Sequence, residues 1–153
     1  MSIFTLSVLS LIVLETQAAA QMENLCSLVT NEDARAFFGG TPEEIMHSPQ
    51  ICAYGLKGQP IKLTVVNYTA SANAKKLFEM NRQGMEAAKG SPKDEPGLGA
   101  TAFSASTKST IEIFLLKGNA TVQITASTDE HAPIAAALLV KLRDVAKKAA
   151  DRM

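Results

Sequence analysis

Two apolar runs joined by a short polar pair decide the fold: Thr110-Ile-Glu-Ile-Phe-Leu-Leu-Lys117, then Gly118-Asn119, then Ala120-Thr-Val-Gln-Ile-Thr-Ala-Ser127. In the second run apolar and polar side chains alternate with a period of two, which is typical of a strand with one dry and one wet face. In the first run apolar side chains occur on both faces, which predicts a strand covered on both sides at one end. Gly118-Asn119 tolerates positive φ, so the two runs predict a tight hairpin.

Further strands are indicated on the N-terminal side of this hairpin. Residues 51–56 and 61–68 predict a second hairpin, with Gly58-Gln59-Pro60 at its turn. Residues 100–106 predict a weaker strand that precedes the first hairpin and extends it to a three-stranded meander. An antiparallel sheet with an apolar face must be covered by helices.

The remaining chain supplies those helices. Thr30 begins a helix over residues 31–38, with Asp33 at the capping-box distance and Gly39 as its terminator. Helical spacing predicts a second helix over 72–89 and a final helix that is capped from residue 128 onward. Residues 41–49 are left open between a single helical turn and a loop. The predicted fold is α+β, an antiparallel sheet of about five strands covered by helices, in the order α-ββ-α-βββ-α.

Length and charge limit the functional classes. The chain has 153 residues and a formal net charge of zero, which favours one domain and gives no electrostatic argument for binding nucleic acid or an anionic membrane. Aromatic residues make up 5% of the chain and Trp is absent, which argues against stacking surfaces for bases or sugars. We therefore expect a single α+β domain over 21–153 and no nucleic-acid partner.

Residues 1–20 have the pattern of a signal peptide. Ile3 to Leu14 is a nearly unbroken apolar run of h-region length, and Ala18-Ala19-Ala20 predicts cleavage before Gln21. The run is too short to span a bilayer, so no stable membrane insertion is expected after the leader is removed. Met1-Ser2 carries no Lys or Arg, which leaves open a start codon further upstream. The alternative is a buried or disordered N-terminal helix. The leader predicts a periplasmic or secreted protein.

The cysteine count agrees with export. Cys26 and Cys52 are the only two cysteines, and an even pair in an oxidising compartment is usually a disulfide. Closing that loop stabilises the fold by roughly 3 kcal/mol on the chain-entropy model. Two buried free thiols, or half of a metal site, are the alternatives.

Short motifs along the chain resemble those of a known group of domains: Cys26-Ser-Leu-Val-Thr30, Gly39, Ile51-Cys52-Ala-Tyr54 and Gly97-Leu98-Gly99. In these the chain resembles small exported bacterial domains, including actinobacterial lipoproteins and the extracellular sensor domains of mycobacterial serine/threonine kinases. Its element order is also similar to the PsbP/Mog1 type of α/β sandwich. No lipobox precedes Cys26 and no kinase region is present. The resemblance implies a fold and an envelope location, and it carries over no catalytic residue.

The sequence contains no recognisable catalytic set. His47 and His131 are the only histidines, and neither lies in a nucleophile elbow such as G-x-S-x-G; we expect His131 to be exposed in the first turn of a helix. A disulfide would leave no thiol for catalysis. We therefore predict that the protein is not an enzyme and needs no cofactor. The less favoured alternative is a copper site that uses Met46 and His47, whose thioether and imidazole suit that metal.

The polar segment from Gly90 to Gly99 is the longest connection between predicted elements, and surface loops often carry binding sites. The function predicted is that of a non-catalytic exported domain that binds a protein partner or a small ligand through this loop or through the sheet face. A periplasmic copper-binding protein, a small enzyme whose site assembles only in three dimensions, and a purely structural role in an assembly are the alternatives. The candidate partner residues in the loop are Lys93, Asp94, Glu95, Gly97, Leu98 and Gly99.

Overall fold

The hairpin of residues 110–127 lies in the middle of a seven-stranded antiparallel sheet. A computed structural model describes residues 24–129 and 132–153; the predicted leader and His131 lie outside the described residues. The strands follow the spatial order β1-β2-β3-β7-β6-β5-β4. Their bounds are Glu43–His47 (β1), Ile51–Gly55 (β2), Ile61–Ala70 (β3), Lys93–Asp94 (β4), Thr101–Ser106 (β5), Thr110–Lys117 (β6) and Ala120–Thr128 (β7).

Three α-helices and one short 3₁₀ turn accompany the sheet in the described part of the chain. The predicted capping box forms at the first helix: the Thr30 side chain accepts from the Asp33 amide, and the Asp33 carboxylate accepts from the Thr30 amide. Gly39 ends this helix in the left-handed region, with φ of 73°. The bounds are Leu25–Ser27 (3₁₀ turn), Asn31–Phe38 (α1), Ala74–Ala87 (α2) and Leu138–Arg152 (α3).

The predicted α+β class is confirmed, but the predicted count of about five strands is wrong because both edges of the sheet carry a further strand. One edge is β1, which lies in the segment that the sequence left between a helical turn and a loop. All five of its residues are exposed, so no apolar period marks it in the sequence; pairing with β2 holds it in place. The other edge is β4, which has only two residues.

The last helix begins later than the sequence predicts. β7 extends through Thr128, whose amide donates to the carbonyl of Ser109, and the Asp129 amide donates to the carbonyl of Pro60. These backbone groups are used by the sheet and its neighbouring turns and are therefore not free to open a helix. Regular α3 hydrogen bonding begins only at Leu138.

Helices lie on both faces of the sheet. The main core forms between α1, α3, the 3₁₀ turn and one face, where Leu63, Ile113 and Ile124 are fully buried. On the second face α2 packs over β6 and β7. There Phe103 stacks on Phe114 with ring centroids 4.6 Å apart, and Phe78 meets Phe103 edge-on at 5.1 Å. This accounts for the prediction that β6 is covered on both sides.

Within the described residues, none of the helices is both long enough and apolar enough to cross a membrane.

Candidate functional site

The edge strand β1 carries the most exposed apolar side chains of the sheet. Ile45 and Met46 are 47% and 50% exposed, and both side chains are large. In the part of the chain that the structure describes, β1 has β2 on one side and no strand on the other. An edge strand of this kind presents unpaired backbone N–H and C=O groups that can pair with another chain.

A β-bulge in β1 decides where its side chains lie. Glu44 pairs with Tyr54 and Met46 pairs with Ala53, so Ile45 is an extra residue with no partner in β2. A strand without a bulge would place Glu44 and Met46 on the same face. Here the extra residue places Met46 opposite Glu44, on the face of the sheet that also carries Ala53.

The same bulge brings Glu44 and His47 together on the other face. His47 pairs in register with Cys52, and its Nδ1 lies 2.8 Å from Oε1 of Glu44. Both side chains are substantially exposed. A sequence reading with a period of two places residues 44 and 47 on opposite faces, so this pair carries no sequence signal.

The predicted disulfide between Cys26 and Cys52 is present, and their Cα atoms are 5.2 Å apart. It attaches the 3₁₀ turn to β2, and the Asn24 side chain accepts from the amide of Cys26 to fix that turn. The sulfur of Cys26, a carboxylate oxygen of Glu44 and a ring nitrogen of His47 all lie within 4.8 Å of one another. The bulge and the disulfide therefore assemble three different donor types at one edge of the sheet.

Polar side chains form a chain across the second sheet face. The side-chain Nδ2 of Asn67 donates to Oε1 of Gln123 at 2.7 Å, and Nε2 of Gln123 donates to Oε1 of Glu112 at 2.9 Å. Burial raises the pKa of Glu112, against the smaller opposing effect of the Gln123 hydrogen bond. Asn67 takes a positive φ of 58° where the pairing of β3 with β7 shifts register. The side chains of Thr64 and Val66 beside this chain remain half-buried.

The predicted partner loop is attached to the fold more firmly than its composition suggests. The side chain of Glu95 is buried; it accepts from the Ser104 hydroxyl and from Nε of Arg143, each at 2.6 Å. Leu98 is also buried. Asp94 is exposed but accepts from Arg82 at 2.6 Å. A partner could reach this loop through Lys93 and the exposed glycines, and its role as a partner site stays a prediction.

Six positions were predicted for the loop, and the structure separates them by burial. The exposed ones are Lys93, Asp94, Gly97 and Gly99, and the buried ones are Glu95 and Leu98.

The two residues of the copper alternative are adjacent in β1 but lie on opposite faces of the sheet. Met46 pairs with Ala53 and His47 pairs with Cys52. Because successive residues of a strand point to opposite faces, the thioether and the imidazole point away from each other; a copper site at Met46 and His47 stays a prediction. His47 instead lies beside Glu44 and Cys26, and the sequence reading missed Glu44 in this role.

A small cleft between α1 and α3, of about 50 Å³, lies beside Asp33 and Phe37. Three of its charged groups, Asp33, Lys141 and Lys148, already have partners within the fold. Nζ of Lys141 donates to the carbonyl of Phe37 at 3.1 Å, and Lys148 lies 3.2 Å from Asp33. This cleft is therefore part of the helix packing, and we do not consider it a ligand site.

A comparison of the chain with protein-family models, with curated proteins and with solved structures finds no significant match. The class of protein is consequently defined by the fold and the site alone: an α+β domain with one disulfide, a seven-stranded antiparallel sheet and an exposed, bulged edge strand.

Proposed function

We propose that this chain is an exported, non-catalytic binding protein that takes an extended polypeptide segment of its partner as an additional strand alongside β1. The observation that carries the proposal is the exposure of the whole strand, Glu43–His47, at the end of the sheet. Addition of a strand uses the backbone groups of the edge for affinity and the alternating side chains for specificity.

The chemistry of the edge limits the partner segment. Ile45 and Met46 offer apolar area on the second face, and exposed apolar groups of this size favour contact with apolar side chains of a partner. Glu43 and Glu44 give the beginning of the strand two carboxylates. Since opposite charges across neighbouring strands attract, we expect the bound segment to carry both apolar and basic side chains.

The rigidity of the neighbouring elements supports such a role. The Cys26–Cys52 disulfide holds the 3₁₀ turn against β2, the strand that pairs with β1. The buried Tyr54 hydroxyl in the same strand donates to the carbonyl of Val29 at 2.9 Å. A binding strand that is already ordered loses less conformational entropy when the partner arrives.

Export is supported by the apolar leader pattern over residues 1–20 and by the disulfide, since disulfides persist in oxidising compartments. The resemblance to exported bacterial domains points to the same location. We therefore place the protein in the periplasm or outside the cell, where the edge strand meets segments of other envelope or secreted proteins.

A displayed library of random peptides tests this proposal. We expect the selected peptides to be rich in Lys, Arg and large apolar residues. Their Kd should rise about tenfold for each of the variants Ile45→Lys and Met46→Lys, because each change removes apolar contact and adds a positive charge that repels a basic peptide. Val140→Lys is the matched control. Val140 is 60% exposed on α3, and its replacement should leave Kd unchanged.

Amide chemical-shift mapping with a selected peptide gives the position of binding directly. The largest shifts should fall on residues 43–47 and on β2. Peptides that bind equally well to the β1 variants, or shifts confined to the 93–99 loop, would show that the edge strand is not the binding site.

A further inference from the structure

Three potential metal ligands lie close together at β1, and peptide binding does not require this arrangement. Cys26, Glu44 and His47 offer a sulfur, an oxygen and a nitrogen within 4.8 Å of one another. Thiolate, imidazole and carboxylate are the three side-chain groups from which protein zinc sites are built. In this structure the Cys26 sulfur is bonded to Cys52, and a disulfide sulfur lacks the thiolate charge that binds metal.

We propose that reduction of the Cys26–Cys52 disulfide uncovers a site for a zinc-like divalent cation, held by the Cys26 thiolate, the His47 imidazole and the Glu44 carboxylate. A dithiol reductant supplies two electrons and two protons: its own sulfurs become a disulfide, the Cys26–Cys52 bond breaks, and two thiols form. The cation then displaces the proton of the Cys26 thiol, and neutral His47 binds through a ring nitrogen.

The geometry suits the proposed ligands. In a tetrahedral zinc site with ligand bonds of about 2.0–2.3 Å, the donor atoms lie roughly 3.3–3.8 Å apart. No two donors of the cluster are more than 4.8 Å apart, and Oε1 of Glu44 and Nδ1 of His47 are only 2.8 Å apart, so the shifts needed are on the order of 1 Å or less. Glu44 and His47 are exposed and can make that movement by side-chain rotation. Cys26 is nearly buried and sits in a turn fixed by Asn24, which would anchor the site on one side.

The exposure of Glu44 and His47 also gives a cation access to the site. The two exposed ligands face solvent, so a cation can arrive without opening the core. Three protein ligands leave a fourth position, which is open to water or to the Cys52 thiol that the same reduction frees beside Cys26. The disulfide and the metal use the same sulfur, so the two states exclude each other, and the site would respond to the redox state of its surroundings.

Cobalt(II) titration tests the proposal because a thiolate ligand gives cobalt a charge-transfer absorption that an oxidised chain cannot give. The chain is reduced with a phosphine and titrated without oxygen, in parallel with the oxidised chain. We expect one cobalt per reduced chain with a thiolate band, and at least tenfold weaker binding without that band in the oxidised chain.

The neighbouring Glu43 provides a matched control for the proposed ligand Glu44. Glu44→Gln and His47→Gln should each weaken cobalt binding by about tenfold or more. Glu43→Gln removes the same charge one residue away, from the opposite face of the strand, and should leave Kd within twofold. Equal weakening by Glu43→Gln and Glu44→Gln would show that the ion merely follows surface charge, and would overturn the proposal.

A thermal melt shows whether the reduced chain is still folded. If the reduced chain has no melting transition, cobalt must restore one together with the thiolate band, because metal binding then drives folding. Absence of both at saturating cobalt overturns the proposal, as does equal binding by the oxidised chain. Peptide binding by the oxidised chain is measured separately, so failure of the metal site and failure of the proposed function remain distinguishable.

Discussion

Replacing Asp33 with alanine is expected to lower the free energy of unfolding by about 4 kcal/mol, because a buried carboxylate loses its pairing with the half-exposed Arg152 and Lys148 and the capping box of α1 loses its second hydrogen bond. The Asp33 side chain is 2% exposed. It accepts from the amide and the hydroxyl of Thr30, each at 2.9 Å, and from the Arg152 guanidinium, and Lys148 lies 3.2 Å away. One carboxylate thereby joins the beginning of α1 to the end of α3.

Denaturant unfolding at neutral pH measures this loss. Glu32→Ala is the matched control, since Glu32 precedes Asp33 in the first turn of α1 and is exposed; its loss should cost about 0.5 kcal/mol through the helix dipole alone. Similar losses in the two variants would show that the network around Asp33 adds no stability beyond that of a surface charge.

The same carboxylate should make stability depend on pH in the acid range. Burial alone raises the pKa of Asp33, but hydrogen bonds from Arg152, Thr30 and Lys148 outweigh it and lower the pKa to about 2, from an ordinary value of 3.8. A lowered pKa in the folded state gives stability that is complete above the unfolded value and is lost as the pH falls from about 4 to 2. The loss attributable to Asp33 is about 2 kcal/mol.

Asp33→Asn isolates this contribution, because it keeps the shape of the side chain and removes its titration. Unfolding free energies of both proteins at pH 6 and pH 2.5 give the comparison. The native chain should lose more stability than the variant over this interval. Parallel pH curves would mean that Asp33 is not held ionised by its partners.

Removing the disulfide is the change with the second largest expected effect. The double variant Cys26→Ala/Cys52→Ala should lose about 3 kcal/mol, because the unfolded chain regains the freedom of the closed loop. A reductant should destabilise the native chain by a similar amount in the absence of metal and leave the double variant unchanged. A native chain that unfolds at the same denaturant concentration with and without reductant would contradict the role assigned to this bond.

Local patterns in the sequence were sufficient for the centre of the fold. The hairpin over residues 110–127 follows from side chains that alternate about Gly118-Asn119, and Gly118 does take a positive φ of 57°. The capping box at Thr30 and Asp33 is likewise a relation between neighbours in the chain. The Cys26–Cys52 pairing was predictable because no other cysteine competes.

The edges of the sheet were not predictable in the same way. Glu43–His47 is exposed on both faces, so burial leaves no periodic mark on its composition, and the sequence left residues 41–49 open between a single helical turn and a loop. Backbone pairing with β2 holds this strand in place. Pairing of that kind depends on the backbone and is invisible to side-chain patterns.

The candidate sites were missed for related reasons. The bulge at Ile45 places Glu44 beside His47 and puts Met46 on the face opposite Glu44. One inserted residue reverses the faces that strict alternation would give to the residues on its two sides. In the 93–99 loop, Glu95 pairs with Arg143, which lies 48 residues further along the chain. A polar composition predicted an exposed loop, whereas a distant cation makes burial of this carboxylate possible.

The two proposals use opposite faces of one strand. Ile45 and Met46 are exposed apolar side chains available for an added strand, while Glu44 and His47 lie beside the disulfide. Variants at Met46 should therefore leave cobalt binding unchanged, and Glu44→Gln should leave the apolar part of peptide recognition intact. The bulge is the feature that makes this separation possible.

The intact mass of the chain isolated from its native cell tests both export and closure of the Cys26–Cys52 disulfide in one measurement. Measured without reductant, the mass should correspond to a chain that begins at Gln21 and is two hydrogens lighter than its dithiol form. A chain that still begins at Met1, with both thiols free, would show that the protein is neither exported nor closed by a disulfide.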